Sequence, residues 1–269
     1  GKPQTDDIGQ YQMKLLWTAP SKDSGFPIIG YRIWARAENR SSPDNSSSWE
    51  VMVHDTGSAA TSFILTNLDG NTLYTFLVAG INSLGAGERS AESESVRTLP
   101  VPPDAPAAPE GSSITPSSAQ ISWQPPYDGG SSILGYVLEL AQDSGSFSEV
   151  VNTSSLTYHL SGLLGSTNYR LRLIAYNEIG ASAPGQIYTL LTMPPTVPEA
   201  PANLAVSFDA PHSASVSWDP PVDEGGQPVV AYSVYFSSPE DTLTHAATVA
   251  AGAPRTVQIK QLLGSTEYT

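Results

Sequence analysis

The sequence predicts an all-β protein built of tandem β-sandwiches. Three observations predict it: a Trp–Tyr construction repeated three times, a Leu–Tyr spacing repeated three times, and a period of two along the apolar runs. In the construction an apolar alternation ends on Trp17, Trp123 or Trp218 and a Pro/Gly/Asp-rich break follows. A second alternation then opens on Tyr31, Tyr136 or Tyr232, thirteen or fourteen residues after the Trp. That is a strand, a turn and a strand. The rings fall where a sheet buries them, so each copy marks one small core.

Composition narrows the class. With 269 residues and repeats roughly a hundred apart, the length allows two or three domains, each able to form a core without staples. The absence of cysteine excludes disulfides, thiol catalysis and cysteine-bound zinc or iron–sulfur sites. Twelve Lys and Arg against 26 Asp and Glu give a net charge of −14, which opposes a broad phosphate-binding surface. Nucleic acid is therefore not an expected partner. The apolar runs are short and interrupted, so no segment reads as a bilayer span or a signal peptide, and direct membrane insertion is not expected. Any targeting information is expected outside this stretch.

Taken in order, three domains are expected over 1–100, 101–195 and 196–269. Pro106 and Pro201 each stand seventeen residues before their Trp, whereas the same offset from Trp17 falls before residue 1, so the first domain is expected to lack the start of its first strand. Gln10 to Trp17 alternates, with Tyr11, Met13, Leu15 and Trp17 on one side. Ile29 to Ala37 reads as the next strand, with Tyr31, Ile33 and Ala35 inward. The polar, aperiodic stretch from Glu38 to Ser48 reads as a surface loop. Trp49–Val53 and Ser62–Leu65 read as further short strands.

Leu68 precedes Tyr74 by six residues, and the same interval separates Leu163 from Tyr169 and Leu262 from Tyr268, each pair flanking a glycine (Gly70, Gly165, Gly264). Such a Tyr places its ring in the core while its hydroxyl returns to the turn backbone, the tyrosine corner of Greek-key sandwiches. The strands Tyr74–Asn82 and Tyr169–Asn177 follow. Each ends in Asn, two residues and a Gly (Gly85, Gly180), a hairpin turn that needs a residue tolerant of positive φ.

The Trp, the Pro-Pro-x-Asp-Gly-Gly break, the Gly-Tyr strand opening, the Leu–Tyr corner and the Asn-x-x-Gly turn together resemble tandem fibronectin type III domains. The resemblance implies seven-stranded immunoglobulin-like sandwiches whose cores contain Trp17, Tyr31, Leu68 and Tyr74, then Trp123, Tyr136, Leu163 and Tyr169, then Trp218, Tyr232, Leu262 and Tyr268. The first domain departs from the pattern at Thr18-Ala19-Pro20 and Asp23-Ser24-Gly25. In the third, the sequence given ends at Thr269, just past the corner Tyr268, where the family has the rest of that strand and one more. An apolar groove and an open sheet edge are expected there. Further chain is expected to fill them, the alternative being strands added by a neighbouring molecule. The proline-rich links Leu99–Pro109 and Met193–Pro201 favour extended, semi-rigid backbone, and hence a rod bent at its joints.

Chemistry is sparse. His54, His159, His212 and His245 are scattered, without motif spacing or a carboxylate partner, and no glycine loop leads into a helix. No catalytic, metal or cofactor site is expected. Asp219, Asp223 and Glu224, and separately Glu240 and Asp241, read as solvated turn carboxylates rather than as calcium ligands. The sequons at Asn39, Asn45 and Asn152 are candidate N-glycosylation sites. If Tyr31 and Ile33 point inward, strand parity turns Arg32, Trp34 and Arg36 outward beside Thr75, Leu77 and Ala79. This makes Arg32, Trp34, Arg36 and Leu77 a candidate partner-binding patch, an apolar spot flanked by cations. The competing expectation is that Trp49 and the long loop cover Trp34. In the second domain Glu139, Arg170 and Arg172 are expected to face outward and pair across strands.

The resemblance implies a spacer and adhesion module rather than an enzyme. The leading expectation is an extracellular or cell-surface array in a larger surface, matrix or filament protein, contacting other proteins or further copies of itself and carrying N-linked glycans. The alternatives are a noncatalytic spacer in a secreted carbohydrate-active enzyme and an intracellular, titin-like cytoplasmic scaffold.

Overall fold

The computed structural model describes residues 1–22, 25–38, 48–238, 243–263 and 266–269. Every regular element among them is a strand, as the period-two patterning requires. Packing divides the chain into two compact units. One is Gly1–Pro106 with Pro125–Tyr136 and Ile174–Gly185; the other is Ala107–Gln124 with Val137–Leu173 and Gln186–Thr269.

The first unit carries β1 (Gln4–Asp6), β2 (Met13–Leu16), β3 (Gly30–Ala37), β4 (Glu50–Val53), β5 (Ser62–Leu65), β6 (Leu73–Asn82), β7 (Gly85–Ala86) and β8 (Val96–Arg97). They form one sheet in the order β1-β2-β5 and a second in the order β4-β3-β6-β7, with β8 also on β6. Between the sheets lies a core of Met13, Leu15, Trp17, Tyr31, Ile33, Ala35, Leu65, Leu68, Tyr74, Phe76 and Val78. Trp17 meets the Tyr31 ring edge-on at 5.0 Å and 66°, the arrangement that aromatic quadrupoles favour.

Tyr11 departs from the expected alternation. A turn closed by the Gly9 amide on the Gln12 carbonyl (2.8 Å) lifts it out of the strand, which starts at Met13 and leaves Tyr11 51% exposed. Local turn geometry overrides the apolar period there. Along the outer side of β6 the ladder is completed by serines. The Ser93 hydroxyl accepts from the Phe76 amide (2.9 Å) and the Ser90 hydroxyl from the Val78 amide (3.1 Å), while the Ser93 and Ser90 amides donate back to the Phe76 and Val78 carbonyls.

The remaining strands are β9 (Glu110–Ser112), β10 (Ser118–Ser122), β11 (Gly135–Gln142), β12 (Ser148–Thr153), β13 (Thr157–Ser161), β14 (Asn168–Tyr176), β15 (Tyr188–Leu191), β16 (Ala202–Ala210), β17 (Ser213–Asp219), β18 (Ala231–Phe236), β19 (Thr244–Ala250) and β20 (Thr256–Lys260). They pair as β9-β10-β13, β12-β11-β14-β15, β16-β17-β20 and β18-β19. In β14 alternation is strict, with Tyr169, Leu171, Leu173 and Ala175 buried and Arg170 and Arg172 facing out. Trp123 and Tyr136 are both buried, and burial pushes the Tyr136 hydroxyl above its ordinary pKa of 10.0. In the last repeat Trp218 meets Tyr232 edge-on at 5.5 Å, within a cluster of Ala214, Val216, Ile259 and Leu262. Ser237 and Thr269 exchange both backbone hydrogen bonds, the register in which Arg36 faces Thr75 on β3 and β6.

All three corners close as the spacing expects. The hydroxyls of Tyr74, Tyr169 and Tyr268 accept from the amides of Asp69 (2.9 Å), Leu164 (2.8 Å) and Leu263 (2.7 Å). Gly85 takes a positive φ of 126° in the hairpin after Asn82, whose side-chain oxygen accepts from the Leu84 amide. In the last repeat an apolar groove of about 700 Å³ opens between the sheets, bordered by Val206, Phe208, Trp218, Val234 and Phe236. Gly264 and the pair Glu240 and Asp241 lie outside the described residues.

Candidate protein-binding face

The face to be tested lies on the outer side of β3 and β6. These strands pair antiparallel from Gly30 opposite Ile81 to Ala37 opposite Tyr74, which sets Trp34 across from Leu77. With Tyr31, Ile33 and Ala35 in the core, parity turns Arg32, Trp34 and Arg36 to the other side. The side is the expected one, but its exposure is not. Trp34 and Leu77 are each only 6% exposed, forming with Ala79 a second, smaller cluster against Trp49. The competing expectation holds in this respect: Trp49 covers the apolar spot from within the same domain.

Cations complete the cover. The Arg89 guanidinium lies 4.6 Å from the Trp34 ring centroid, and Arg36 lies 4.9 Å from that of Trp49. Each such stack contributes on the order of 0.5–1 kcal/mol at an exposed site. Arg36 also pairs with Glu92 (3.1 Å), and the Arg32 Nε donates to the His54 carbonyl (3.1 Å). What the face presents is therefore a set of oriented guanidinium groups over indoles rather than bare hydrocarbon. Arg89 escaped the sequence reading because it follows β7 in a stretch without periodicity.

The middle repeat uses the same construction. Arg172 pairs with Glu139 at 2.6 Å, and its guanidinium lies 4.1 Å from the Phe147 ring, with Arg170 at 5.1 Å from the same ring. Arg170 is held further by donating to the Asp143 and Gly145 carbonyls, each at 2.7 Å. Glu139 and Arg172 thus pair across strands, as parity expects; Phe147, from an irregular turn, carried no signal in the sequence.

Asn152 is exposed on β12, whereas Asn39 and Asn45 lie outside the described residues. The other polar candidates serve local structure. Asp219 accepts from Asn203, Asp223 from the Gly225 amide and Glu224 from the Val229 amide. His212 bonds the Leu262 carbonyl, and His245 bonds Thr248. Among the described residues no three His, Asp or Glu side chains converge as a metal site would require.

Comparison with known proteins agrees with this architecture. Residues 2–96, 104–190 and 199–269 each match the family described as "Fibronectin type III domain". The chain is 29% identical over 245 residues to fibronectin type-III domain-containing protein 3A of Homo sapiens, covering 88% of this chain and 19% of that protein. It is 27% identical over 303 residues to protein sidekick-2 of Mus musculus, covering 98% of this chain and 13% of that one. It therefore spans less than a fifth of the length of either relative. The solved structure of the chicken CNTN1 FN1–FN3 domains superposes with a TM-score of 0.53 at 20% identity, covering 99% of this chain and 89% of that one, a likeness of fold. The chain belongs to the fibronectin type III family, of which it carries three tandem domains.

Proposed function

We propose that this chain is a non-catalytic spacer and adhesion segment of a larger extracellular protein at a cell surface, in the matrix or in a filament, and that it contacts other proteins through its sheet faces. The observation that carries the reading is the pair of arginine–aromatic faces. In a chain of net charge −14, Arg36 and Arg89 are clamped on Trp49 and Trp34, and Arg170 and Arg172 on Phe147. Clamping lowers the side-chain entropy that a partner would otherwise have to remove on binding. Arginine and tryptophan are also the residues that most often anchor interfaces. The short share of the relatives' length that the chain covers suits a segment within a longer array.

The test is cell attachment to a surface coated with the chain, compared with one coated with albumin. Attachment well above albumin is expected, and the double variant Arg32→Glu/Arg36→Glu, shown by urea denaturation to be folded, should lose most of it. Attachment no better than to albumin, or unchanged in the variant, overturns the reading. The extracellular setting has its own check. Peptide-N-glycosidase treatment of the protein isolated from its natural source, which hydrolyses the glycan-bearing side-chain amide, should convert Asn152, exposed on its strand, to aspartate. An unmodified Asn152 together with unmodified Asn39 and Asn45 would contradict it.

A further inference from the structure

The two links between repeats are held by the same hydrogen bonds. At the first, the Val101 amide donates to the Gly129 carbonyl (3.0 Å) and the Asp104 amide to the Tyr127 carbonyl (2.9 Å). At the second, the Thr196 amide donates to the Gly225 carbonyl and the Glu199 amide to the Asp223 carbonyl, both at 2.9 Å. Each proline-rich link is thus tied by two backbone hydrogen bonds to the double-glycine turn of the repeat that follows it. Asn177 reinforces the first, its side-chain amide donating to the Val101 carbonyl (2.9 Å) and the Asp128 carbonyl (2.8 Å).

The turn of the preceding repeat reaches the same place. Asn71, next to the corner glycine Gly70, bonds the Tyr127 hydroxyl and fills the space that a side chain on Gly130 would need. At the second link the Gly165 amide donates to the Gly226 carbonyl at 2.8 Å. Asn71 and its counterpart Ser166 both adopt positive φ, 47° and 52°. The approach is close enough to exclude a methyl group. A Cβ on Gly129 would sit 2.6 Å from the Pro102 carbonyl oxygen, and one on Gly226 would sit 2.6 Å from that of Pro116. These neighbours are backbone atoms, which cannot rotate away.

Positive φ alone does not account for these glycines. Gly25, six residues before Tyr31 as Gly130 and Gly226 are before Tyr136 and Tyr232, takes φ 81° against their 86° and 77°. Yet a Cβ on Gly25 meets nothing within 4 Å among the described residues, and the sequence before it has Ser24 where the other repeats have a first glycine. Gly25 therefore offers a comparable positive-φ backbone with no link beside it among the described residues.

We propose that Gly129-Gly130 and Gly225-Gly226 are seats for the interdomain links. Each seat holds the link by two backbone hydrogen bonds, receives the corner turn of the preceding repeat beside it, and so fixes the joint. This inference concerns the joints and stands apart from whether the sheet faces bind a partner.

Amide hydrogen exchange on the whole chain tests it, comparing Gly25→Ala, Gly129→Ala and Gly225→Ala. All three carry the same backbone penalty, so Gly25→Ala isolates it. Gly129→Ala is expected to speed exchange at Val101 and Asp104 by about tenfold or more. Gly225→Ala should do the same at Thr196 and Glu199, and Gly25→Ala should leave all four unchanged. Equal protection of these amides in Gly129→Ala and Gly25→Ala overturns the proposal. Should a glycine variant unfold its repeat, Val101→Pro decides from the other side, because it removes a rung while leaving every glycine in place. Faster exchange at Asp104 with β10 still protected supports the seat, and unchanged exchange at Asp104 refutes it.

Discussion

Replacing Trp17 with alanine is expected to lower the stability of the first repeat by about 3–5 kcal/mol. A domain of this size holds only about 5–15 kcal/mol in all, so the repeat should be unfolded or close to it. The reason is position. Trp17 is buried against the edge of Tyr31 in a core that also takes in Met13, Leu15, Tyr74 and Phe76. Trp17→Phe should cost well under half as much, because the indole N–H has no hydrogen-bond partner among the described residues and only volume is lost. Urea unfolding followed by hydrogen exchange at the amides of β3 and β6 reports both. An alanine variant within about 1 kcal/mol of the parent would mean that this ring does not hold the sheets together.

The next largest effect is expected from deleting a single oxygen. Tyr169→Phe leaves the ring in place but removes the acceptor of the Leu164 amide, which sits 2.8 Å away in a part-buried turn. An amide left unsatisfied there costs about 1–3 kcal/mol. The urea midpoint of the middle repeat should fall with an unchanged m value, since the surface exposed on unfolding stays the same. Exchange of the Leu164 amide should rise more than that of amides in the middle of β14. A midpoint equal to the parent's would mean that water satisfies the amide as well as the phenol does.

Both predictions rest on features that the sequence displays openly, because each is fixed by local spacing. The six-residue interval from Leu163 to Tyr169 spans one turn, and period two fixes which side of β3 carries Tyr31. What remained hidden depends on residues far apart in the chain. Parity identified the side of the sheet on which Trp34 lies, yet its cover comes from Trp49, beyond the long loop, and from Arg89, beyond β7. Tyr11 fits the alternation but lost its place to a turn closed by a single backbone bond. The glycines at 25, 129 and 225 share one local reason for being glycine. The backbone that passes beside the last two comes from a distant stretch of chain and leaves no local mark.

The serine hydroxyls along β6 bear on how such an array assembles. Repeats joined by short links meet one another at an effective concentration in the millimolar range, where exchange of strands between neighbours is a recurring hazard. At Phe76 and Val78 the amides facing the edge are already stoppered by oxygens from Ser93 and Ser90, and Ser182 does the same for Ala175 in the next repeat. An intruding strand finds no free donors at those positions, and its own carbonyls would have to evict a hydroxyl that is anchored by its own main chain. Small polar side chains thereby stopper the sheet edge of the first two repeats at no cost to the apolar interior.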